Sequence, residues 1–169
     1  MDDQTIPLDA ETKAVEQPED HRDELRLWLR LLTCSTLIEG EVRRRLRDRF
    51  DVTLPRFDLM AQLDKAPDGM TLSDPSKRMM VSNGNLTGLV ERLAASGHLH
   101  RQVSKTDRRA QVIRLTAIGR AEFRAMAAEH EGWIAGLFGG LSKSDQEDLM
   151  RLLAKTKLSA RRAVTGDRP

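Results

Sequence analysis

Residues 81–116 read VSNGNLTGLVERLAASGHLHRQVSKTDRRAQVIRLT, and the hydrophobic period changes part-way along them. Leu86, Leu89, Val90 and Leu93 recur at i, i+3, i+4 and i+7, the spacing of one buried helix face. Ser82 stands ahead of this row as an N-cap, and Gly97 follows it where helices commonly end on a left-handed residue. From His98 the period shortens. His98–Val103 and Ala110–Leu115 predict two short strands, and the polar run Ser104–Arg109 predicts the turn between them.

Upstream, Thr71 or Ser73 can cap a short helix over roughly 72–79, and Met80-Val81-Ser82 is a tight turn into the helix above. Helix, turn, helix and hairpin in that order make a winged helix-turn-helix. Its second helix suits a major groove, and its hairpin suits the flanking backbone or a minor groove. The same order also fits an ordinary helical domain with one exposed hairpin.

Further out, Pro55 opens a helix carrying Phe57, Leu59, Met60 and Leu63, which ends in the Pro67-Asp68-Gly69 turn. Asp23 to Phe50 reads as one long helix with two apolar rows, Leu25/Leu29/Leu32 and Leu27/Leu31/Cys34/Ile38/Val42, as if buried on more than one side. After the hairpin, Thr116 caps a long helix towards Leu141 with Phe123, Met126, His130, Trp133/Ile134 and Leu137 as its core row. Ser142 begins the last helix, with Leu149, Leu152, Leu153 and Thr156 apolar, and Ser144–Glu147 also has a capping-box pattern. The expected fold is mainly α with a small β-wing: two helices, the helix-turn-helix pair, the wing, then two helices. In domain terms, residues 1–22 form a disordered acidic arm, 23–50 and 117–160 a helical dimerisation region, 52–116 the winged helix-turn-helix lobe, and 161–169 a frayed tail.

Length and composition agree with this. A chain of 169 residues is one domain with extensions. No apolar run approaches a membrane span, the N-terminus lacks a signal-peptide pattern, and one cysteine excludes an internal disulfide, so a cytoplasmic protein is expected. The net charge of +2 hides a division. Residues 1–24 hold nine acids against Lys13 and Arg22, leaving +9 on the rest. Residues 71–114 carry eight Lys and Arg against three acids, a basic region suited to phosphates. The face of the 83–95 helix opposite Leu86 presents Gly84, Thr87, Gly88, Glu91, Arg92 and Ala95. Helical glycines cost about 1 kcal/mol each relative to alanine, and close approach to a groove wall is a reason to keep them. Asn83 and Asn85 sit in the first turn, and asparagine can pair bidentately with adenine.

Residues 52–119 resemble the MarR (multiple antibiotic resistance regulator) family of transcription factors. The resemblance rests on Leu54-Pro55-Arg56-Phe57-Asp58-Leu59-Met60, on Val81 to Leu93, on Gly97 to Arg101, and on Asp107-Arg108-Arg109 followed by Leu115-Thr116 and Gly119. It implies a homodimer on a pseudo-palindromic operator, with Arg109 in a minor groove and Asp107 orienting it. A narrow minor groove does attract arginine, and a neighbouring carboxylate can fix its fork. The DNA-contact set is then Lys77, Ser82, Asn83, Asn85, Thr87, Arg92, Lys105, Arg108 and Arg109. Pro75 and His98 depart from the family pattern, which has apolar residues there.

The resemblance also implies release of DNA by a small effector bound between the dimer helices and the DNA-binding lobe, with no cofactor. An aromatic carboxylate or its CoA thioester is the expected class, and Trp28, Arg30, Arg44, Phe57 and Met60 are the candidate residues. The wording from Met80 to Thr87 is similar to an aromatic-catabolism subgroup, some of which answer to hydroxycinnamoyl-CoA. Arg43 to Arg49 could neutralise CoA phosphates, contact DNA, or simply suit a helix C-terminus. Two alternatives stand beside this reading: a cysteine-based redox sensor, although Cys34 lies mid-helix in an apolar row and the chain has no tyrosine, and a non-specific architectural winged-helix protein. The histidines are scattered, and no metal site is assigned. No glycine-rich phosphate loop, nucleophile elbow or clustered catalytic set points to an enzyme.

Overall fold

A computed structural model describes residues 23–71, 83–103 and 110–166, with side chains from Leu86 onward in the middle segment. The elements are α1 (Asp23–Phe50), α2 (Leu54–Asp64), β1 (Met70–Thr71), α3 (Asn83–Ala95), β2 (Leu99–Val103), β3 (Gln111–Leu115), α4 (Ala117–Leu137) and α5 (Lys143–Thr165). The fold is mainly helical with a small antiparallel sheet, as the sequence predicts. The acidic arm and the short helix expected over roughly 72–79 lie outside the described residues.

The expected hairpin forms, with Leu99 opposite Leu115 and Val103 opposite Gln111. A third strand was not expected. Met70 and Thr71 pair with Ile113 and Val112, giving the order β1-β3-β2, so Thr71 is a strand residue. Two residues carry no readable period, so only the pairing makes this strand. Gly69, at φ +92°, leads into it where a Cβ would lie 2.6 Å from Val112 Cγ1.

The chain divides into two units, Met1–His130 and Glu131–Pro169. The first unit holds a continuous apolar core. It draws on Val42 and Leu46 of α1, Phe57, Leu59, Met60 and Leu63 of α2, the Leu86/Leu89/Val90/Leu93 row of α3, Leu99, Ile113 and Leu115 of the sheet, and Phe123 and Met126 of α4. Three ion pairs frame it. Arg49 of α1 meets Glu129 at 3.1 Å, Arg120 meets Asp64 at 2.8 Å, and Arg56 meets Glu122 at 3.0 Å. The double burial expected for α1 is not met within one chain. Only Val42 and Leu46 are buried, while Leu25, Leu27, Trp28, Leu32 and Leu37 are exposed.

In the second unit, Ser142 caps α5 and forms a capping box with Asp145: its hydroxyl accepts from the Asp145 N–H, and the Asp145 carboxylate accepts from the Ser142 N–H. The Ser142 hydroxyl and backbone N–H hold the Asp145 carboxyl below its usual range. The box therefore sits two residues earlier than the Ser144–Glu147 pattern. The tail also differs from expectation. α5 stays helical to Thr165, and Gly166 ends it at φ +75°. All of α5 is exposed within the chain, its apolar row included.

Three elements of the first unit, α3, β2 and α4, meet at one point. The α3 C-terminus closes as a Schellman turn, with the Gly97 N–H on the Ala94 carbonyl and the His98 N–H on the Leu93 carbonyl. Thr116 then binds back to it. Its N–H donates to the His98 carbonyl, and its hydroxyl donates to the Gly97 carbonyl while accepting from the Gly119 N–H. A Cβ on Gly119 would lie 2.1 Å from the His98 carbonyl oxygen. Gly119→Ala is therefore expected to destabilise the protein by about 1–3 kcal/mol, as forced overpacking does. Urea unfolding checks this, and an unchanged midpoint would show that α4 can back away from His98.

Candidate nucleic-acid interface

α3 buries Leu86, Leu89, Val90 and Leu93, so helical geometry leaves the opposite side outward. Glu91, Arg92 and Ala95 are exposed there, and Thr87 and Gly88 are half-buried. A Cβ on Gly88 would meet nothing nearer than Arg92 Nη1 at 3.5 Å, an ordinary contact. Nothing inside the described chain therefore requires glycine at position 88. The helix gives up about 1 kcal/mol of propensity there relative to alanine.

The wing projects from the same end of α3. Leu99, Ile113 and Leu115 root it in the core, while His100, Arg101, Gln102 and Val103 are exposed. Arg101 stiffens the hairpin by donating through Nε and Nη2 to Gln111 Oε1, at 3.1 and 2.7 Å. Of the expected DNA contacts, Thr87 and Arg92 lie on the outward side of α3. Asn83 and Asn85 fall in its first turn. Lys77, Ser82, Lys105, Asp107, Arg108 and Arg109 lie outside the described residues.

The candidate effector residues separate. Phe57 and Met60 are buried in the core, whereas Trp28 and Arg30 are exposed. Arg44 is engaged with Glu41 and Asp48, both at 2.8 Å. Its neighbours are paired too: Arg43 with Glu39, Arg45 with Glu41 at 2.6 Å, and Arg49 with Glu129. Hydrogen bonds from Arg44 and Arg45 draw the Glu41 carboxyl down to about 2, and Glu41 in turn raises the Arg44 guanidinium above its ordinary value. Four of the five arginines from Arg43 to Arg49 thus already face carboxylates. Cys34 is exposed within the chain rather than buried, contrary to its apolar-row placement. His98 lies against Glu122 and Ser96, and His100 is exposed.

One polar corner was not legible beforehand. The Phe57 ring packs on Phe123 (centroids 5.5 Å) and on His130 (4.9 Å), with Asp58 beside them. Burial pushes the Asp58 carboxyl up, against the opposing charges of Arg43 and His130 and with Glu39 adding to the rise. Burial likewise pushes the His130 imidazole down, partly countered by Asp58. Displaced titratable groups beside aromatic rings are a common feature of ligand sites.

Comparison with known proteins now decides the family. The MarR family profile matches residues 52–110. A crystal structure of a MarR family transcriptional regulator from Silicibacter pomeroyi is 31% identical, with a TM-score of 0.70 over 82% of this chain and 95% of that one. The chain belongs to the MarR family. It is a DNA-binding transcription regulator and not an enzyme. A curated relative, the transcriptional activatory protein BadR of Rhodopseudomonas palustris, is 26% identical over 77% of this chain and 75% of its own. The fold also matches Bordetella bronchiseptica BpsR, whose DNA binding is regulated by 6-hydroxynicotinic acid, at TM-score 0.69 and 23% identity over 81% of this chain and 96% of that one. No helix among the described residues is long and apolar enough to cross a membrane.

Two outcomes are expected of this site. Gly88→Ala should stabilise the regulator by up to about 1 kcal/mol while weakening DNA binding. Denaturation and a gel shift on one preparation test this, and unweakened binding would show that α3 needs no bare backbone at 88. The second concerns acid. His130 is lowered in the folded state, so its contribution is present above the ordinary histidine value near 6.5 and is lost as pH falls. Asp58, being raised, works the opposite way at lower pH. Melting temperature should fall between about pH 7 and about pH 5, and His130→Phe should flatten that fall. An unchanged slope would remove His130 from the acid response.

Proposed function

We propose that this MarR-family protein is a homodimeric, cytoplasmic repressor that binds a pseudo-palindromic operator and releases it when an aromatic carboxylate binds. The outward side of α3, with Gly88 open and Arg92 exposed beside it, carries the DNA reading. A groove wall or base edge is the object for which such a bare helix side is suited. The homodimer is supported by apolar residues that one chain leaves in water. Met150 is 71% exposed and Leu152 51%, on a helix with no buried residue, and Trp28 on α1 is 55% exposed. An apolar expanse of that kind calls for a partner surface.

The effector reading draws on the Phe57–His130–Asp58 corner, where an aromatic ring could stack and a carboxylate could meet Arg43 or His130. The regulation of BpsR by an aromatic acid supports this class. Of the two chemistries expected, the free acid fits better than the CoA thioester, because Arg43, Arg44, Arg45 and Arg49 already face carboxylates. In this reading Trp28, Arg30 and Arg44 lie outside the effector site, and Phe57 and Met60 form its wall. The wing contacts are Lys105, Arg108 and Arg109, with Asp107 orienting Arg109, and Lys77, Ser82, Asn83 and Asn85 join Thr87 and Arg92 on the helix side.

The decisive experiment is a gel shift on DNA from upstream of the protein's own gene, with excess competitor DNA. Arrays of aromatic acids and their CoA thioesters are added in turn. Specific retention followed by release with an acid is expected. Retention no better than that of competitor DNA would favour an architectural role, and release by a thioester alone would return the arginine cluster to the site. Arg109→Ala should weaken operator binding about tenfold or more with the dimer intact by size-exclusion chromatography. Cys34→Ser should leave release unchanged, and loss of release would favour redox sensing.

A further inference from the structure

The two strands of the wing are held differently. β3 is tied down by buried Ile113 and by its pairing with β1, whereas every residue of β2 beyond Leu99 is exposed. β2 is therefore held at its entry, by the residue that precedes it, His98. Its backbone is held on both sides, by the Leu93 carbonyl and the Thr116 N–H. Its side chain is held on both sides as well. Nδ1 lies 2.7 Å from Ser96 Oγ, and Nε2 contacts the Glu122 carboxylate of α4. The carboxylate only accepts, so Nε2 is the donor to Glu122, and both ring nitrogens are engaged.

Glu122 continues the chain of contacts. Its other oxygen accepts from Arg56 Nη2 of α2 at 3.0 Å. Arg56 precedes Phe57 and Glu122 precedes Phe123, the two rings stacked across α2 and α4. A polar path thus runs beside the aromatic seam and ends at the wing root. Its members are partly shielded, with the His98 side chain 15% exposed, Arg56 25% and Glu122 32%. Hydrogen bonds to charged groups in such surroundings are stronger and more directional than apolar contacts. A leucine at position 98 would fill space there but would not select one orientation.

We propose that His98 and Glu122 are positioning residues for DNA binding: they clamp the root of the wing to α4, and Arg56 ties that clamp to the α2–α4 aromatic seam. The clamp sets the direction in which β2 leaves the lobe. It rests on the operator reading above for its consequence in affinity, and on the protein alone for its mechanical effect. A shift along the α2–α4 seam would reach the wing by this path.

The test uses the full-length protein and the variants His98→Leu, Glu122→Gln and the double variant, with His98→Gln as the substitution that keeps a polar group. Two quantities are measured. The first is amide hydrogen exchange without DNA, where exchange in 99–103 and 111–115 should quicken in both single variants while that in α3 stays unchanged. Unchanged exchange in the wing, or an increase spread evenly over α3 and the core, overturns the proposal. The second is affinity for a duplex from upstream of the protein's own gene, by fluorescence anisotropy. Each single variant should bind about tenfold more weakly, with the double variant no weaker than either, as expected of a coupled pair. His98→Gln should recover part of the loss. Full affinity in the single variants, or losses that simply add, overturns the proposal. A wild-type protein that fails to prefer this duplex would instead sink the operator reading, and the exchange data would still judge the clamp.

Discussion

The close approach of α4 to the His98 carbonyl is the constraint on which the rest of the lobe depends. Three elements meet there: the end of α3, the start of β2 and the start of α4. The Thr116 hydroxyl and N–H bind two successive carbonyls at the α3 exit. That contact is possible only because residue 119 lacks a side chain. Separate the elements and the carbonyls of Gly97 and His98 lose their partners, at His98 in a half-buried setting where an unpaired polar group is costly. The Schellman turn at Gly97 and the cap at Thr116 are thus one joint. The end of α3 and the start of the hairpin are set by the same few hydrogen bonds.

The joint is supported from the other side by the packing of α2 on α4. Phe57 and Phe123 supply the apolar contact, with Leu59, Met60, Leu63 and Met126 buried around them. The ion pairs Arg56–Glu122 and Arg120–Asp64 add direction to it. Exposed pairs contribute little to stability, but these are three-quarters shielded on the arginine side and select one register of two helices that apolar contact alone would let slide. Asp58 and His130 show the other consequence of this packing. Each is held with its charge disfavoured at the edge of the aromatic seam, which leaves a corner able to respond to a ligand that supplies charge or takes it away.

Much of this was legible in the chain. The Leu86, Leu89, Val90 and Leu93 row is buried as its spacing requires, since a helix with one apolar face must turn it from water. The two strands of the hairpin follow from the shift to a period of two. The outward side of α3, the candidate DNA-facing surface, is the geometric complement of the buried row and was legible for the same reason. Other features were ambiguous locally. Ser142 and Ser144 each have an acid three residues on, and the extended backbone at Ser142 decides between them. Residues 161–165, Arg-Arg-Ala-Val-Thr, carry no apolar row, yet the helix runs through them to the left-handed Gly166.

By itself, the sequence determined the order of the described helices and hairpin strands and the buried and outward sides of α3, because hydrophobic period and capping chemistry act within a few residues. Only the tertiary structure decided what depends on distant parts of the chain meeting. Strand β1 exists through its pairing with Ile113 and Val112. Phe57 reaches His130, and His98 reaches Glu122 and Arg56, through packing of α2 against α4. Arg44, basic in the sequence, has its charge met by Glu41 and Asp48. No local pattern encodes such contacts. They arise when close packing of the core brings separate helices to a fixed distance, and charges and rings from each then find their partners.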